Sequence, residues 1–116
     1  MVKIFESEEE MLATLDQYDQ LVRDCVSGRI SFEEFLDRYG TFYMTYALDG
    51  HESDLVEKAL LEVHRDRIVP HREIWERIIG GGLCSDEDAR NEAYIQAGRF
   101  GSGEGLLRLR EISAGI

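Results

Sequence analysis

Proline, cysteine and histidine are scarce in this sequence, which has one, two and three of them among 116 residues. Two cysteines give no disulfide framework and no cysteine-rich zinc site. The apolar start, MVKIF, is far too short for a secretory signal, and no apolar run approaches the length of a membrane span. We therefore expect a reduced, cytoplasmic protein that does not associate with membranes.

Alternating apolar and polar residues, the pattern of β-strands, are also missing, and apolar residues recur instead at helical spacing. A chain of 116 residues supports one domain, and a hydrophobic content of 43% with 32% charged residues argues against disorder. We predict an all-α fold, a small antiparallel helical bundle of four to six helices in a single domain spanning residues 1–116.

The net charge of −11 is the strongest feature of the composition, and it is uneven. Residues 1–62 contain 5 basic and 15 acidic side chains, a net charge of −10, whereas residues 63–116 contain 8 and 9, a net charge of −1. Such a field repels nucleic acid and anionic membranes and attracts basic proteins. Solubility alone is the other interpretation of this charge.

The first half predicts a helical hairpin. A capping box, Ser7 with Glu10, starts a helix from about Glu8 to Ser27, and Asp49-Gly50 ends a second helix near Leu48. The apolar stripe of the first helix is Met11, Leu15, Tyr18, Val22 and Cys25. The stripe of the second is aromatic and comprises Phe32, Phe35, Tyr39, Phe42 and Tyr46, with Tyr43 beside them. At this spacing both stripes are predicted to be core.

The joint between these helices, VSGRISFEEF, is similar to the second half of a calcium-binding EF-hand loop. If Gly28 is placed at position 6, Glu34 falls at position 12, but positions 1, 3 and 5 are Arg23, Cys25 and Ser27, which cannot replace carboxylates. We therefore interpret the string as a tight helix joint, with Gly28 in a left-handed conformation after the first helix and Ser31 with Glu34 as a capping box. Calcium should leave the thermal stability unchanged.

Pro70 is the main helix-breaking signal in the middle of the chain, because a proline inside a helix destabilises it by about 3 kcal/mol. Ser53 is predicted to cap a third helix that stops near Ile68, and Pro70 to start a fourth; one long kinked helix is the alternative. The predicted inward residues of the third helix are Val56, Ala59, Leu60 and Val63. Those of the fourth are Ile74, Trp75 and Ile78.

Glycine divides the last third of the chain. The GGG at 80–82 is a break, and Ser85 is predicted to start a helix whose buried stripe is Ala89, Ala93, Ala97 and Phe100. The string GSGEG at 101–105 is predicted to be a flexible joint. A short final helix should follow, with Leu106, Leu109 and Ile112 inward.

No catalytic or metal-binding constellation stands out. His64 and His71 lie two helical turns apart but lack a third ligand, and we predict that both are surface residues. Cys25 is predicted to be core, and Cys84 has no histidine near it in sequence to act as a base. The prediction is therefore a protein that is not an enzyme and has no catalytic residues, metal or cofactor.

The hairpin carries a family resemblance. YDQLVRDCVSG followed by RISFEEFLDRYGTFY, within residues 8–46, resembles the colicin D type of bacteriocin immunity protein, which has a similar joint and an aromatic-rich second helix. The resemblance implies a protein that binds a basic, RNA-cleaving toxin domain and blocks its active site, its acidic surface imitating the phosphates of RNA. It does not identify the toxin.

The acids around the helix joints are the candidate contacts for a basic partner, because the first half carries most of the excess charge. They are Glu33, Glu34, Asp37, Asp49, Glu52 and Asp54, with Asp86, Glu87 and Asp88 as weaker candidates because the helix dipole already explains them. The alternative function is a helical adaptor or regulatory module that binds a basic peptide or helix in a groove. A small enzyme is a third option, and the oligomeric state stays open.

Overall fold

The computed structural model describes residues 5–46, 48 and 54–116. These residues form six α-helices and no strand. The helices are α1 (Glu8–Val26), α2 (Phe32–Thr45), α3 (Leu55–Val63), α4 (Arg65–Ile74), α5 (Glu92–Gln96) and α6 (Ser102–Ser113). A π-helical turn, Trp75–Ile79, extends α4, and a 3₁₀ turn, Asp88–Arg90, precedes α5. The predicted all-α helical bundle is confirmed.

Helix α1 lies at the centre of the bundle, against α2, α4 and α6. It starts where predicted, with Ser7 Oγ accepting a hydrogen bond from the Glu10 backbone N–H at 3.1 Å, and it ends one residue before the predicted end. All five residues of its predicted apolar stripe are buried. The burial of Cys25 raises the pKa of its thiol to about 11, which suits a core residue and not a nucleophile.

Helix α2 packs its aromatic stripe on α1. Phe35, Tyr39 and Tyr43 are buried and the other stripe residues are partly buried, as predicted, although the helix ends at Thr45 and not near Leu48. The Tyr18 ring of α1 meets the Tyr39 ring edge-on at 5.4 Å, and its hydroxyl donates to the Tyr46 carbonyl at 2.6 Å. The polar tip of this buried tyrosine therefore closes the C-terminal end of α2. The predicted stop signal, Asp49-Gly50, lies outside the described residues.

The predicted boundary between the third and fourth helices is wrong. The break is at His64, and Pro70 lies inside α4. The proline removes the hydrogen bond to the carbonyl of Asp66, which is an exposed residue in the first turn where water can replace the lost donor. The predicted inner residues Ile74 and Ile78 are buried, and Trp75 is partly buried against the Tyr43 ring at 4.6 Å.

The predicted inward face of α3 is wrong as well. Val56, Ala59 and Val63 are exposed and Leu60 is only partly buried, whereas Glu57 and Leu61 face inward. Glu57 is drawn in because its Oε2 accepts a hydrogen bond from the backbone N–H of Phe5 at 3.0 Å. The described N-cap is Asp54, and the predicted cap Ser53 lies outside the described residues.

The break at GGG is where predicted, but the single helix predicted to start at Ser85 does not form. The chain turns at GGG, and Leu83 and Phe100 form an isolated parallel β-bridge. Ala93 and Ala97 are exposed and Ala89 is half-buried, because the segment folds into two short turns instead of one packed helix. The predicted flexible joint at 101–105 is also wrong, since α6 begins inside it with Gly101 as N-cap. Within α6, Leu109 and Ile112 are buried and Leu106 is partly buried, as predicted.

Candidate partner-binding surface

A rigid joint fixes where α2 begins. Gly28 has φ +84, its N–H donates to the Cys25 carbonyl at 3.1 Å, and the next N–H, of Arg29, donates to Asp24 at 2.8 Å. These two bonds form a Schellman motif, and Ser31 Oγ then accepts from the Glu34 N–H at 3.0 Å to cap α2. The predicted helix joint is therefore confirmed, and it holds the first turn of α2 in a defined orientation.

Two of the predicted contact residues, Glu33 and Asp37, lie on the side of α2 away from the core. They are one helical turn apart, both are exposed, and neither pairs with a described basic side chain. Glu34 differs, because it forms an ion pair with Arg38 at 2.7 Å. Residues four apart on a helix lie about 6 Å from each other. Glu33 and Asp37 therefore extend from helix positions one turn apart, and among the described residues neither carboxylate is neutralised by an ion pair.

A groove of about 520 Å³ opens beside Glu33, where the start of α2 meets the 83–86 loop and the start of α6. Its apolar floor consists of Phe32, Leu36 and Leu83, all partly buried. Its remaining lining residues are polar: Glu33, Cys84, Ser85, Asp86 and Ser102. An apolar floor with a carboxylate rim suits a basic side chain that brings an aliphatic stem.

The opposite wall of the groove is held by Asp86, whose Oδ1 accepts from the Ser102 N–H at 2.8 Å and from its hydroxyl at 2.7 Å. These hydrogen bonds lower the pKa of the Asp86 carboxyl. Gly105 of α6 lies so close to Phe32 that a Cβ atom would meet the ring at 2.7 Å. Close packing of α6 on α2 thus shapes the groove and brings Asp86 to the same site as Glu33.

The other predicted contact residues are not part of this surface. Asp54 is half-buried and caps α3, its Oδ1 accepting from the Glu57 N–H at 2.8 Å. Asp49 and Glu52 lie outside the described residues. Glu87 and Asp88 are exposed beyond the groove, at the start of the 3₁₀ turn.

The predicted surface position of His71 is wrong, because this residue is fully buried. Its Nε2 lies 2.6 Å from Asp19 Oδ1 and its Nδ1 lies 2.8 Å from the Tyr39 hydroxyl. Spacing could have indicated this, since His71 is three residues from both Ile68 and Ile74, which are buried on the same face. His64 is nearer the surface and contacts Glu8 at 2.8 Å.

Asp19 connects the buried histidine to the surface. Its Oδ2 accepts from Arg67 at 3.0 Å, and Arg67 also bonds Asp16 at 2.8 Å. Burial alone would raise the pKa of the Asp19 carboxyl, but the hydrogen bonds from His71 and Arg67 outweigh burial and hold the pKa below its usual value. Asp16 and Asp19, near the middle of α1, are therefore both paired with Arg67, unlike Glu33 and Asp37.

The Asp19–His71–Tyr39 chain has the connectivity of a catalytic relay, in which a carboxylate orients a histidine toward a hydroxyl. His71 and Tyr39 each have 0% exposure, so a substrate cannot reach the hydroxyl in this conformation. Burial also raises the pKa of Tyr39 well above its usual value. The arrangement satisfies three polar groups inside the core, as buried polar side chains require.

No group of three or more histidine, cysteine, aspartate or glutamate side chains in the described part of the chain is placed to hold a metal ion. None of the helices in residues 5–46 and 54–116 combines the length and the apolar character needed to cross a membrane. The Cys84 thiol donates to the Phe100 carbonyl at 3.4 Å.

Comparisons with protein-family models, curated proteins and solved structures give no significant match to this chain.

Proposed function

We propose that this protein is an immunity-type inhibitor of the colicin D class, which binds a basic, RNA-cleaving toxin domain and blocks its active site. The observation that carries the proposal is the pair Glu33 and Asp37, exposed one turn apart without a described basic partner. Two carboxylates carried one turn apart on a packed helix are available to occupy sites in a nuclease that otherwise hold RNA phosphates.

The groove beside Glu33 supports the same proposal. A basic nuclease surface carries Lys and Arg side chains, whose aliphatic stems can lie on Phe32, Leu36 and Leu83 while their charges reach Glu33 and Asp86. The overall charge of −11 steers such a partner toward the molecule. The inhibitor then acts by occupying the active site, with no chemistry and no cofactor of its own, and in the cytoplasm, where the RNA substrate is.

Binding to a basic toxin domain is tested with the Glu33→Lys/Asp37→Lys variant. We expect association to slow by at least about tenfold at low salt and to lose part of its salt dependence, because both effects arise from charge steering. Stopped-flow binding at two salt concentrations measures this, and the partner to test is the domain encoded by the gene next to this one, which the proposal expects to be a basic nuclease. Inhibition of RNA cleavage by that domain should weaken in parallel.

The matched control reverses two exposed acids outside the surface, Glu76 in the π-helical turn and Glu92 in the first turn of α5, with the same change in net charge. If the control slows association as much as the Glu33→Lys/Asp37→Lys variant does, net charge and not this surface is responsible. A neighbouring domain that is acidic, or cleavage that the wild-type protein does not inhibit, contradicts the immunity function.

The second candidate function, an adaptor that binds a basic peptide or helix, is favoured by the apolar floor of the groove. The floor residue Leu36 distinguishes the two candidates. An adaptor that buries a peptide side chain on Leu36 should lose more affinity in Leu36→Ser than in Asp37→Lys, whereas a phosphate mimic should show the reverse order. Isothermal titration of both variants against the same basic partner gives the order.

A further inference from the structure

Helix α3 turns an apolar face toward solvent. Leu55, Val56 and Val63 are 80%, 65% and 72% exposed, and Ala59 is exposed between them. At about 100° per residue these four side chains fall within roughly a third of the helix circumference. They form one continuous stripe, here named the α3 stripe, rather than scattered apolar residues.

The orientation of α3 is fixed by specific contacts on its other side. Leu61 is buried, and the Glu57 carboxylate is drawn inward by the Phe5 N–H at 3.0 Å. The helix therefore buries a glutamate while two valines face water, the reverse of the usual amphipathic arrangement. Continuous exposed apolar patches on otherwise polar molecules mark interaction sites.

The charges along one edge of the α3 stripe indicate what covers it. Lys58 and Glu62 lie one turn apart on the same edge of the stripe. One precedes and the other follows Ala59, the middle residue of α3. When two copies of a helix pack antiparallel about a two-fold axis, equivalent edges face each other. Lys58 of each copy then meets Glu62 of the other, twice, while the small Ala59 residues allow the helices to approach closely.

We propose that the protein forms a weak symmetric dimer in which the α3 stripes of two copies pack antiparallel. The occupant of the stripe is a second copy because the edge charges, Lys58 and Glu62, are complementary to those of the same edge in another copy. The basic partner proposed for the groove would be repelled by Lys58. One nine-residue helix per copy offers much less than the roughly 800 Å² per partner of a standard interface. The Kd should therefore lie at about 0.1–1 mM.

Salt separates this dimer from the proposed toxin complex. Two copies that each carry −11 repel one another, so added salt should strengthen the dimer by screening. Binding of a basic toxin domain at Glu33 and Asp37 should weaken under the same conditions. Either proposal can fail without affecting the other.

Sedimentation velocity of the full chain over a concentration series tests the dimer. Wild-type protein should show a concentration-dependent dimer that Val63→Lys weakens by at least about tenfold, because each copy then places a lysine against an apolar face. The matched control is Leu107→Lys on α6, another exposed apolar position with the same change in charge, which should not weaken the dimer. Circular dichroism confirms that each variant stays helical.

A charge exchange tests the antiparallel geometry. Lys58→Glu and Glu62→Lys should each weaken the dimer by bringing like charges together, and the double variant should restore it by re-forming both pairs with reversed sign. A protein that stays monomeric at about 1 mM, a dimer that Val63→Lys leaves unchanged, or a double variant no better than the single ones would each overturn the proposal.

Discussion

The α1–α2 hairpin and the segment from Gly80 to Arg99 both contain capped helix starts and a repeating stripe of apolar residues, yet they fold in different ways. The hairpin buries its stripes completely or in large part. In the segment, every residue from Ser85 to Arg99 is exposed except the half-buried Ala89, and the only regular structure is a 3₁₀ turn and the five-residue α5.

The size of the stripe residues explains this difference. Tyr18, Phe35 and Tyr39 each bury a large ring, and burial of that area offsets the entropy lost when a long helix becomes ordered. The alanines of the segment offer little area, so packing them would contribute little. Helical periodicity predicts burial only where the side chains on the stripe are large enough for the free energy of their burial to exceed the entropy cost of ordering the helix.

Hydrogen bonds between backbone groups, and not a buried apolar stripe, fix the ends of the segment. The Cys84 N–H donates to the Phe100 carbonyl at 2.8 Å, and the Phe100 N–H donates to the Gly82 carbonyl at 3.1 Å. The Phe100 ring is buried, and the Arg108 guanidinium lies 4.0 Å from its centre. The segment is therefore anchored at its two ends, next to the groove wall, while its middle stays in solvent.

The largest expected effect is the loss of an aromatic ring in the hairpin. Phe35 has 0% exposure, so Phe35→Ala should lower the free energy of unfolding by about 3–5 kcal/mol. Ile95→Ala in the exposed segment should change it by less than about 0.5 kcal/mol. Urea unfolding followed by circular dichroism measures both, and equal effects would contradict the division between a packed hairpin and a solvent-exposed segment.

A smaller effect is expected from the polar core that joins the hairpin to α4. Asp19→Asn keeps the shape of the side chain but removes the charge that accepts from His71 and Arg67, which should cost about 2–3 kcal/mol at neutral pH. Asp16→Asn is the matched control, because Asp16 also bonds Arg67 but is exposed, and it should cost less than about 1 kcal/mol.

The same variant has a defined pH dependence. The pKa of Asp19 is lower in the folded protein than in the unfolded chain. The Asp19 carboxylate therefore contributes its full stabilisation of the folded state above the unfolded pKa of about 4, and this stabilisation is lost as pH falls through the folded pKa. The stability difference between wild type and Asp19→Asn should therefore be constant from pH 5 to 7 and shrink below about pH 4. A difference that grows on acidification would contradict the assigned hydrogen bonds.

Features set by neighbours in sequence could be predicted, and features set by distant residues could not. The joint at Gly28 and Ser31 depends on hydrogen bonds within a few residues, so its sequence signature is sufficient. The inward face of α3 depends on the Phe5 N–H, 52 residues before Glu57, and apolar residues on both sides of this short helix leave its orientation ambiguous.

The candidate surface also has one part that the sequence predicts and one part that depends on distant residues. Exposure of Glu33 and Asp37 follows from their positions off the aromatic stripe of α2, which the sequence shows directly. The groove could not be predicted from the sequence, because its other wall comes from Leu83, Asp86 and Ser102. These residues are brought to α2 by the β-bridge and by the close approach of Gly105 to Phe32. The position of Pro70 inside α4 misled prediction because proline is usually a helix boundary, whereas here water can solvate the freed carbonyl.

Two glycines with positive φ, one in each region, test the comparison at single backbone positions. Gly28 has φ +84 with open space around it, so Gly28→Ala introduces only backbone strain of about 1 kcal/mol. Gly82 has φ +116, and a Cβ atom there would lie 2.9 Å from the Gly98 carbonyl oxygen, so Gly82→Ala adds a clash and should cost about 1–3 kcal/mol.

Amide hydrogen exchange is the appropriate measurement, because the anchored ends of the segment can open without unfolding the hairpin. In Gly82→Ala the amides of Cys84 and Phe100 should exchange faster, while the amides of Tyr18 and Tyr39 in the hairpin keep their protection. In Gly28→Ala protection should fall slightly and uniformly, since the strain is released only on global unfolding. If Gly82→Ala instead lowers protection equally in both regions, the segment unfolds together with the hairpin, and the groove wall it supports is as stable as the core.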